Sequence, residues 1–301
     1  MKRSIHLIIM LITASLFLSS ASAEYYGRFW RGEEKTNYPE LAKYCDDTKN
    51  DCFVELINRW LIPATPSYAA KDSLMGYAPV LLPKRLNKKY QDEIALILYK
   101  SEASYRILRG DKTNKEGASY GPIHGDIFEM GEKNTMASSR SLVPKVYNGV
   151  SGFEGPLSEV SYEIKTNGFK VPGAKGSFSL IERGNLTEDQ FIIKVGTYLS
   201  TVYRVLGSPN KIKSQFALYT LYNKDYLMQY SFHRDWSSKN LIKKALKANG
   251  LKVEWSTNLK PLKVKSTEPL LYTPIKRGTG GNLVFEPGVK PGQVEHYRLH
   301  L

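Results

Sequence analysis

Apolar positions along this chain recur with two different periods. Phe53, Leu56, Ile57 and Trp60 stand at helical spacing, which predicts a helix over 53–60 with those side chains in the core. Tyr90, Ile94, Leu96, Ile97 and Tyr99 form an apolar stripe that predicts an amphipathic helix over 87–103. Pro63, Pro66, Gly76 and Pro83 interrupt regular structure between the two. From residue 105 the pattern turns to strands: 105–108 is short and apolar, 110–121 is a polar loop containing glycine, and 158–164 alternates polar with apolar. Residues 190–205, rich in β-branched and aromatic side chains, also read as a strand. Residues 216–222 and 226–232, separated by Asn223-Lys224-Asp225, predict a hairpin. A basic helix is expected over 239–249, capped by Ser237 or Ser238 and stopped by Gly250. Beyond Asn258, Pro261, Pro269, Pro274, Pro287 and Pro291 predict an extended tail with edge strands such as 283–285. The elements add up to an α+β fold, N-terminal helices first and a mainly antiparallel sheet core after. No internal repeat is apparent.

The start of the chain adds a different feature. Lys2 and Arg3, the apolar stretch over 5–18 and Ala21-Ser22-Ala23 before Glu24 form the three parts of a secretory signal. Cleavage after Ala23 and a secreted or periplasmic location are therefore expected. Losing Lys2 and Arg3 lowers the formal net charge from +14 to +12. Such a charge attracts anionic partners, membrane or glycan surfaces among them. The basic residues are scattered, so a solvated cationic surface is favoured and a nucleic-acid groove is not.

Cys45 and Cys52 are the only cysteines of the 301 residues. Two cysteines this close in an exported chain predict a disulfide. On one continuous helix they would stand about 10 Å apart, beyond bonding reach. The bond thus requires a loop between them, which Asp46, Asp47, Asn50 and Asp51 favour. No metal centre is expected, because five histidines and two cysteines show no ligand spacing.

Three short segments carry candidate chemistry: Leu108-Arg109-Gly110, then Ala137-Ser138-Ser139-Arg140, then Glu188-Asp189-Gln190 leading into an apolar run that reaches Gly196. Their order resembles the arginine–serine–glutamate class of mono-ADP-ribosyltransferases, whose motifs read Arg-Gly, Ser-Thr-Ser and Glu-x-Glu. Residues 125–130 resemble the strand that precedes the second motif. The resemblance implies the ADP-ribosyltransferase fold, NAD as co-substrate and a protein acceptor. Arg109, with Arg106 as the near alternative, would hold the pyrophosphate through a planar fork of donors. Ser138 would match the first serine and fix the ribose, with Ser139 beside it. Glu188 would match the first glutamate, which serves the acceptor. Gln190 stands at the second, where the family uses a carboxylate against a developing oxocarbenium charge. Three readings stay open there: a weak or altered enzyme, an NAD-binding relic, or a register in which Glu188 itself is catalytic.

These readings divide the chain into a signal over 1–23, a helical segment with an ADP-ribosyltransferase-like core over 24–205, and a basic C-terminal region over 206–301. The function implied is an exported, NAD-dependent toxin or effector that modifies a protein. The alternative is a non-enzymatic exported binding protein with a cationic surface. His233-Arg234-Asp235 with Asn240 has the spacing of a kinase catalytic loop, but the accompanying kinase segments are missing from the sequence. It reads better as a hairpin end feeding a capped helix.

Overall fold

A computed structural model describes residues 26–36, 45, 51–63, 65, 74–101, 103–104, 125–129, 135–141, 160–166, 169–171, 174–206, 215–261 and 274–284. Ten strands run as β1 (Tyr26–Gly32), β2 (Leu74–Leu81), β3 (Glu93–Tyr99), β4 (Thr135–Ser141), β5 (Val160–Lys165), β6 (Lys175–Glu182), β7 (Phe216–Tyr222), β8 (Tyr226–His233), β9 (Val253–Pro261) and β10 (Thr279–Val284). Among the described residues they are accompanied by the helices α1 (Cys52–Leu56), continued by a π-helical turn (Ile57–Leu61), α2 (Lys84–Tyr90), α3 (Glu188–Leu206) and α4 (Trp236–Ala248). The strands close into one barrel in the order β1-β3-β2-β10-β9-β6-β8-β7-β5-β4, with β4 returning to β1. Only β9 with β10 and β4 with β5 are parallel neighbours.

The barrel is a duplication. In the first half β4-β1-β3-β2 are adjacent, and in the second β9-β6-β8-β7. Each set reads 4-1-3-2 in its own chain order, and every pair within it is antiparallel. That is the split βαβ, ferredoxin-like arrangement, laid down twice. Strands β5 and β10 join the two sheets side to side, and residues from both 24–205 and 206–301 build the same barrel. The expectation of an ADP-ribosyltransferase fold is thereby corrected. So is the edge-strand reading near 283–285, since β10 pairs with β2 on one side and β9 on the other.

Three apolar layers follow from strand alternation. Along β3, Ile94, Leu96 and Leu98 point into the barrel, where they meet Phe29, Phe178, Tyr230 and Phe232. Ala95, Ile97 and Tyr99 point outward, into a layer shared with Phe53, Leu56, Ile57 and Trp60. The predicted helical spacing of those four and their burial both hold. The predicted helix over 87–103 does not. A strand covered on both faces is apolar at nearly every position, so its sequence carries no period of two. On the second half, Phe191, Val195, Tyr198, Leu199 and Val202 of α3 pack with Ile242, Ala245 and Leu246 of α4 over the sheet.

Side chains fill the barrel, and α2 closes one end with Leu86 and Tyr90. The Tyr90 hydroxyl donates to Glu182 Oε1 at 2.6 Å, and its ring stands edge-on to Tyr226. Arg31, itself buried, donates to the Tyr226 hydroxyl. The expected β7–β8 hairpin is present, its turn set by Asn223 Oδ1 accepting from the Asp225 and Tyr226 amides at 2.8 and 3.0 Å. Helix α4 begins three residues earlier than expected, because Asp235 rather than a serine caps it, accepting from Ser238 N at 2.8 Å. Gly250, at φ +63°, ends it as predicted.

Candidate acid-base site at the start of the third strand

The short connection from α2 into β3 concentrates three unusual residues. Gln91 sits at φ 71°, ψ 171°, the one non-glycine residue with positive φ among the described residues. That region of backbone space is nearly glycine-only and costs an ordinary residue on the order of 1–3 kcal/mol. Its side-chain Oε1 is buried without a hydrogen-bond partner among the described residues. What imposes this geometry is the next residue. Asp92 Oδ1 accepts from Asn87 Nδ2 and from Arg277 Nη1, both at 2.7 Å. Its Oδ2 accepts from the Glu34 amide at 2.8 Å. Its own amide donates to Gly32 O and its carbonyl accepts from Leu82 N. So many bonds fix Asp92 that Gln91 must take the conformation left over.

Glu93 follows, at 0 % exposure. Its outward-facing carboxylate lies in the layer between the first sheet and α1. Trp30 Nε1 donates to Oε2 at 3.1 Å, and the Tyr77 hydroxyl donates to Oε1. Both oxygens are satisfied, but neither donor carries a charge. No cation pairs with Glu93 among the described residues, whereas Asp92, Glu34 and Asp51 share Arg277. Burial is the dominant influence and raises the Glu93 carboxyl to about 7, against the smaller opposing pull of the Tyr77 and Trp30 hydrogen bonds. The Tyr230 phenol is pushed well above its usual range, first by its own burial and then by the Glu93 charge.

Aromatic rings keep the surroundings dry. Phe128 stands edge-on to Trp30 and to Phe53, each at 5.6 Å between centroids. Gly32, opposite Glu93 in the β1–β3 register, makes that packing possible. A Cβ on Gly32 would come within 2.5 Å of the Phe128 ring and 3.0 Å of Trp30 Nε1.

A strap from the C-terminal region covers this layer. Ile275, buried within it, exchanges two hydrogen bonds with the Asn58 side chain of the π-helical turn, at 2.9 and 2.7 Å. Arg277 then reaches Asp92, Glu34 at 2.8 Å and Asp51, with its guanidinium 5.3 Å from the centre of the Phe53 ring. Burial alone would raise the Asp51 carboxyl; the Arg277 hydrogen bond and charge outweigh it and hold the group below its usual range. Asp51 also caps α1. The adjoining disulfide, Cys45–Cys52, forms as predicted, with Cα atoms 5.4 Å apart and Cys45 outside the helix that Cys52 begins.

Of the residues expected to act, Arg106 and Arg109 lie outside the described residues, as does the predicted signal over 1–23. Ser138 and Ser139 lie on β4, registered against Arg28 of β1 and Ser161 of β5. Glu188 and Gln190 occupy the first turn of α3, not a strand. Gln190 forms a reciprocal cap: its Oε1 accepts from Thr187 N at 3.0 Å, and its amide donates to Thr187 Oγ1 at 3.2 Å. Glu188 pairs with Lys224 at 3.5 Å. The ADP-ribosyltransferase reading is set aside with its strand, and NAD and the toxin or effector role go with it. The cationic binding alternative gains nothing from the fold either. Trp30, Tyr77, Glu93 and Arg277 were missed. The polar pair Gln91-Asp92 was the available signal, since it breaks the apolar stripe read as a helix.

No protein-family model and no curated protein matches the chain. Among solved structures, the chain is similar to a candidate monooxygenase from Lactobacillus acidophilus (TM-score 0.34, 6% identity, 78% of this chain and 91% of that one). A candidate monooxygenase from Fusobacterium nucleatum gives a TM-score of 0.35 at 9% identity, covering 78% of this chain and 90% of that one. A chlorite dismutase from Candidatus Nitrospira defluvii gives 0.28 at 9%, over 80% and 87%. None is an ADP-ribosyltransferase, and at these scores no chemistry passes from them to this chain.

Proposed function

We propose that the protein is an acid-base catalyst whose proton-transfer group is Glu93. One observation carries the reading: a carboxyl at 0 % exposure, held by two uncharged donors, stands beside a neighbour that takes the available arginine. A structural acid gains most from a cation, as Asp92 does. A general acid or base that works near neutrality needs the opposite, a dry site without a fixed counter-charge. The strained Gln91 adjoining it supports the same reading, because strain persists where surrounding bonds over-determine a geometry. Tyr77 and Trp30 orient the carboxyl and act as positioning residues. The Ile275–Arg277 strap would have to part to admit a reactant.

The test uses an activated carbon acid, 5-nitrobenzisoxazole, whose ring opening responds strongly to a desolvated carboxylate base. The intact protein should accelerate it with a rate that rises through about pH 7, and Glu93→Gln should remove the acceleration while leaving the fold intact. A rate equal in the two proteins contradicts the proposal.

We also propose export, on the strength of the pattern over 1–23 and the Cys45–Cys52 bond. Mass spectrometry of the expressed protein should give an N-terminus at Glu24; an intact Met1 would contradict it.

A further inference from the structure

We infer that the solvent face of α4 is a docking surface for anionic lipid bilayers, independent of the acid-base site. The helix runs WSSKNLIKKALKA and contains no acid. Ser238, Ile242, Ala245 and Leu246 form its buried side. At 100° per residue, Trp236, Lys243 and Lys247 fall within about 40° of one another as one stripe, with half-buried Lys239 on the margin nearer the core and exposed Lys244 on the other margin. Lysines four apart repel one another along a helix, and nothing on α4 relieves them. Asp235, the acid nearest the stripe in sequence, is engaged with Ser237, Ser238 and the Gln215 amide.

At the start of the stripe stands Trp236, 65 % exposed, the most exposed large apolar side chain among the described residues. Lys239 and Lys175 place their ammonium groups 5.2 and 5.7 Å from its ring centre. Arg234 and Lys170, both exposed, adjoin through the bond from Arg234 Nη2 to Lys170 O. An amphipathic ring framed by cations suits the boundary between head groups and acyl chains. Lysines above a negative leaflet add attraction at each position. The charges and the exposed ring are spread along one helix, which favours an extended anionic surface over a small ligand.

Vesicle co-sedimentation of the full chain tests this, comparing phosphatidylcholine alone with phosphatidylcholine containing about a third phosphatidylserine. Binding should require the anionic lipid and weaken strongly from 0.1 to 0.5 M salt. The triple change Lys239→Glu, Lys243→Glu and Lys247→Glu should lower partitioning about ten-fold or more. Lys88→Glu, Lys252→Glu and Lys260→Glu, an equal change of charge at exposed lysines elsewhere, should lower it much less. Trp236→Ala should reduce binding that survives high salt. The N-terminal segment is common to all these proteins, so the differences report on α4. Equal loss in the two triple variants, or no dependence on phosphatidylserine, overturns the inference. Tighter binding to heparin or duplex DNA than to the anionic vesicles overturns the lipid assignment.

Discussion

At the residue scale the account turns on Glu93 and the atoms that surround it. An acid whose folded pKa is raised holds its proton more tightly folded than unfolded, so stability is greatest below its ordinary value of 4.5 and falls as pH rises to about 7. A shift of that size corresponds to about 3 kcal/mol, lost across the window and constant above it. Urea midpoints measured from pH 4.5 to 8 should therefore decline for the native chain more than for Glu93→Gln, with the variant the more stable at pH 8. Parallel curves would show that the carboxyl is not buried as described. Asp235 titrates in a separate window: burial, the largest single influence, pulls it upward, but hydrogen bonds from Ser237, Ser238 and Gln215 together outweigh it and hold the group at about 2, so its contribution disappears only as pH falls below 4. Gly32 is the second sensitive position. Gly32→Ala forces a methyl against the Phe128 ring, and overpacking of that kind costs about 1–3 kcal/mol. Calorimetry should find this loss; an unchanged Tm would mean that Phe128 moves aside freely.

At the element scale, α3 shows why part of the fold escaped a reading of the chain. Ile192, Ile193, Val195, Thr197, Tyr198 and Val202 all favour strands, and their density suggested one. The buried set Phe191, Val195, Tyr198, Leu199 and Val202 has helical spacing, however. Thr187 with Gln190 is a capping box three residues apart. Period and cap together outweigh propensity. Thr187→Ala should cost about 1 kcal/mol of stability, measurable by urea titration, while Gln190→Glu should preserve the cap; no effect of Thr187→Ala would contradict the capping role. The β7–β8 hairpin was legible because Asn223-Lys224-Asp225 is local chemistry. The nature of β3 was not, since covering both faces erases the alternation that marks a strand. Nor could the sequence show that Arg277 meets Asp92, a contact across 185 positions.

At the scale of the whole molecule, two ferredoxin-like sheets share one packed interior, and each carries a helical layer outside it. The first layer encloses the carboxyl of Glu93, held by uncharged donors alone among the described residues; against the second, Gln229 accepts from the Tyr198 hydroxyl at 2.6 Å. The strap over 275–277 ties the end of the described chain to its beginning through one arginine and three carboxylates. Arg277→Met would leave those carboxylates without their shared partner, and breaking a largely buried cluster in this way costs about 3–5 kcal/mol. Denaturant unfolding should register that loss, and a loss below 1 kcal/mol would show that the strap does not hold the layer closed. The account as a whole rests on a carboxyl that changes charge near neutrality inside an apolar layer. Its most direct test is a carbon-13 NMR titration of the glutamate side-chain carboxyls, with the Glu93 resonance identified by its absence in Glu93→Gln. The account predicts a midpoint at about pH 7 for that resonance; a midpoint near the ordinary value of 4.5 would contradict it.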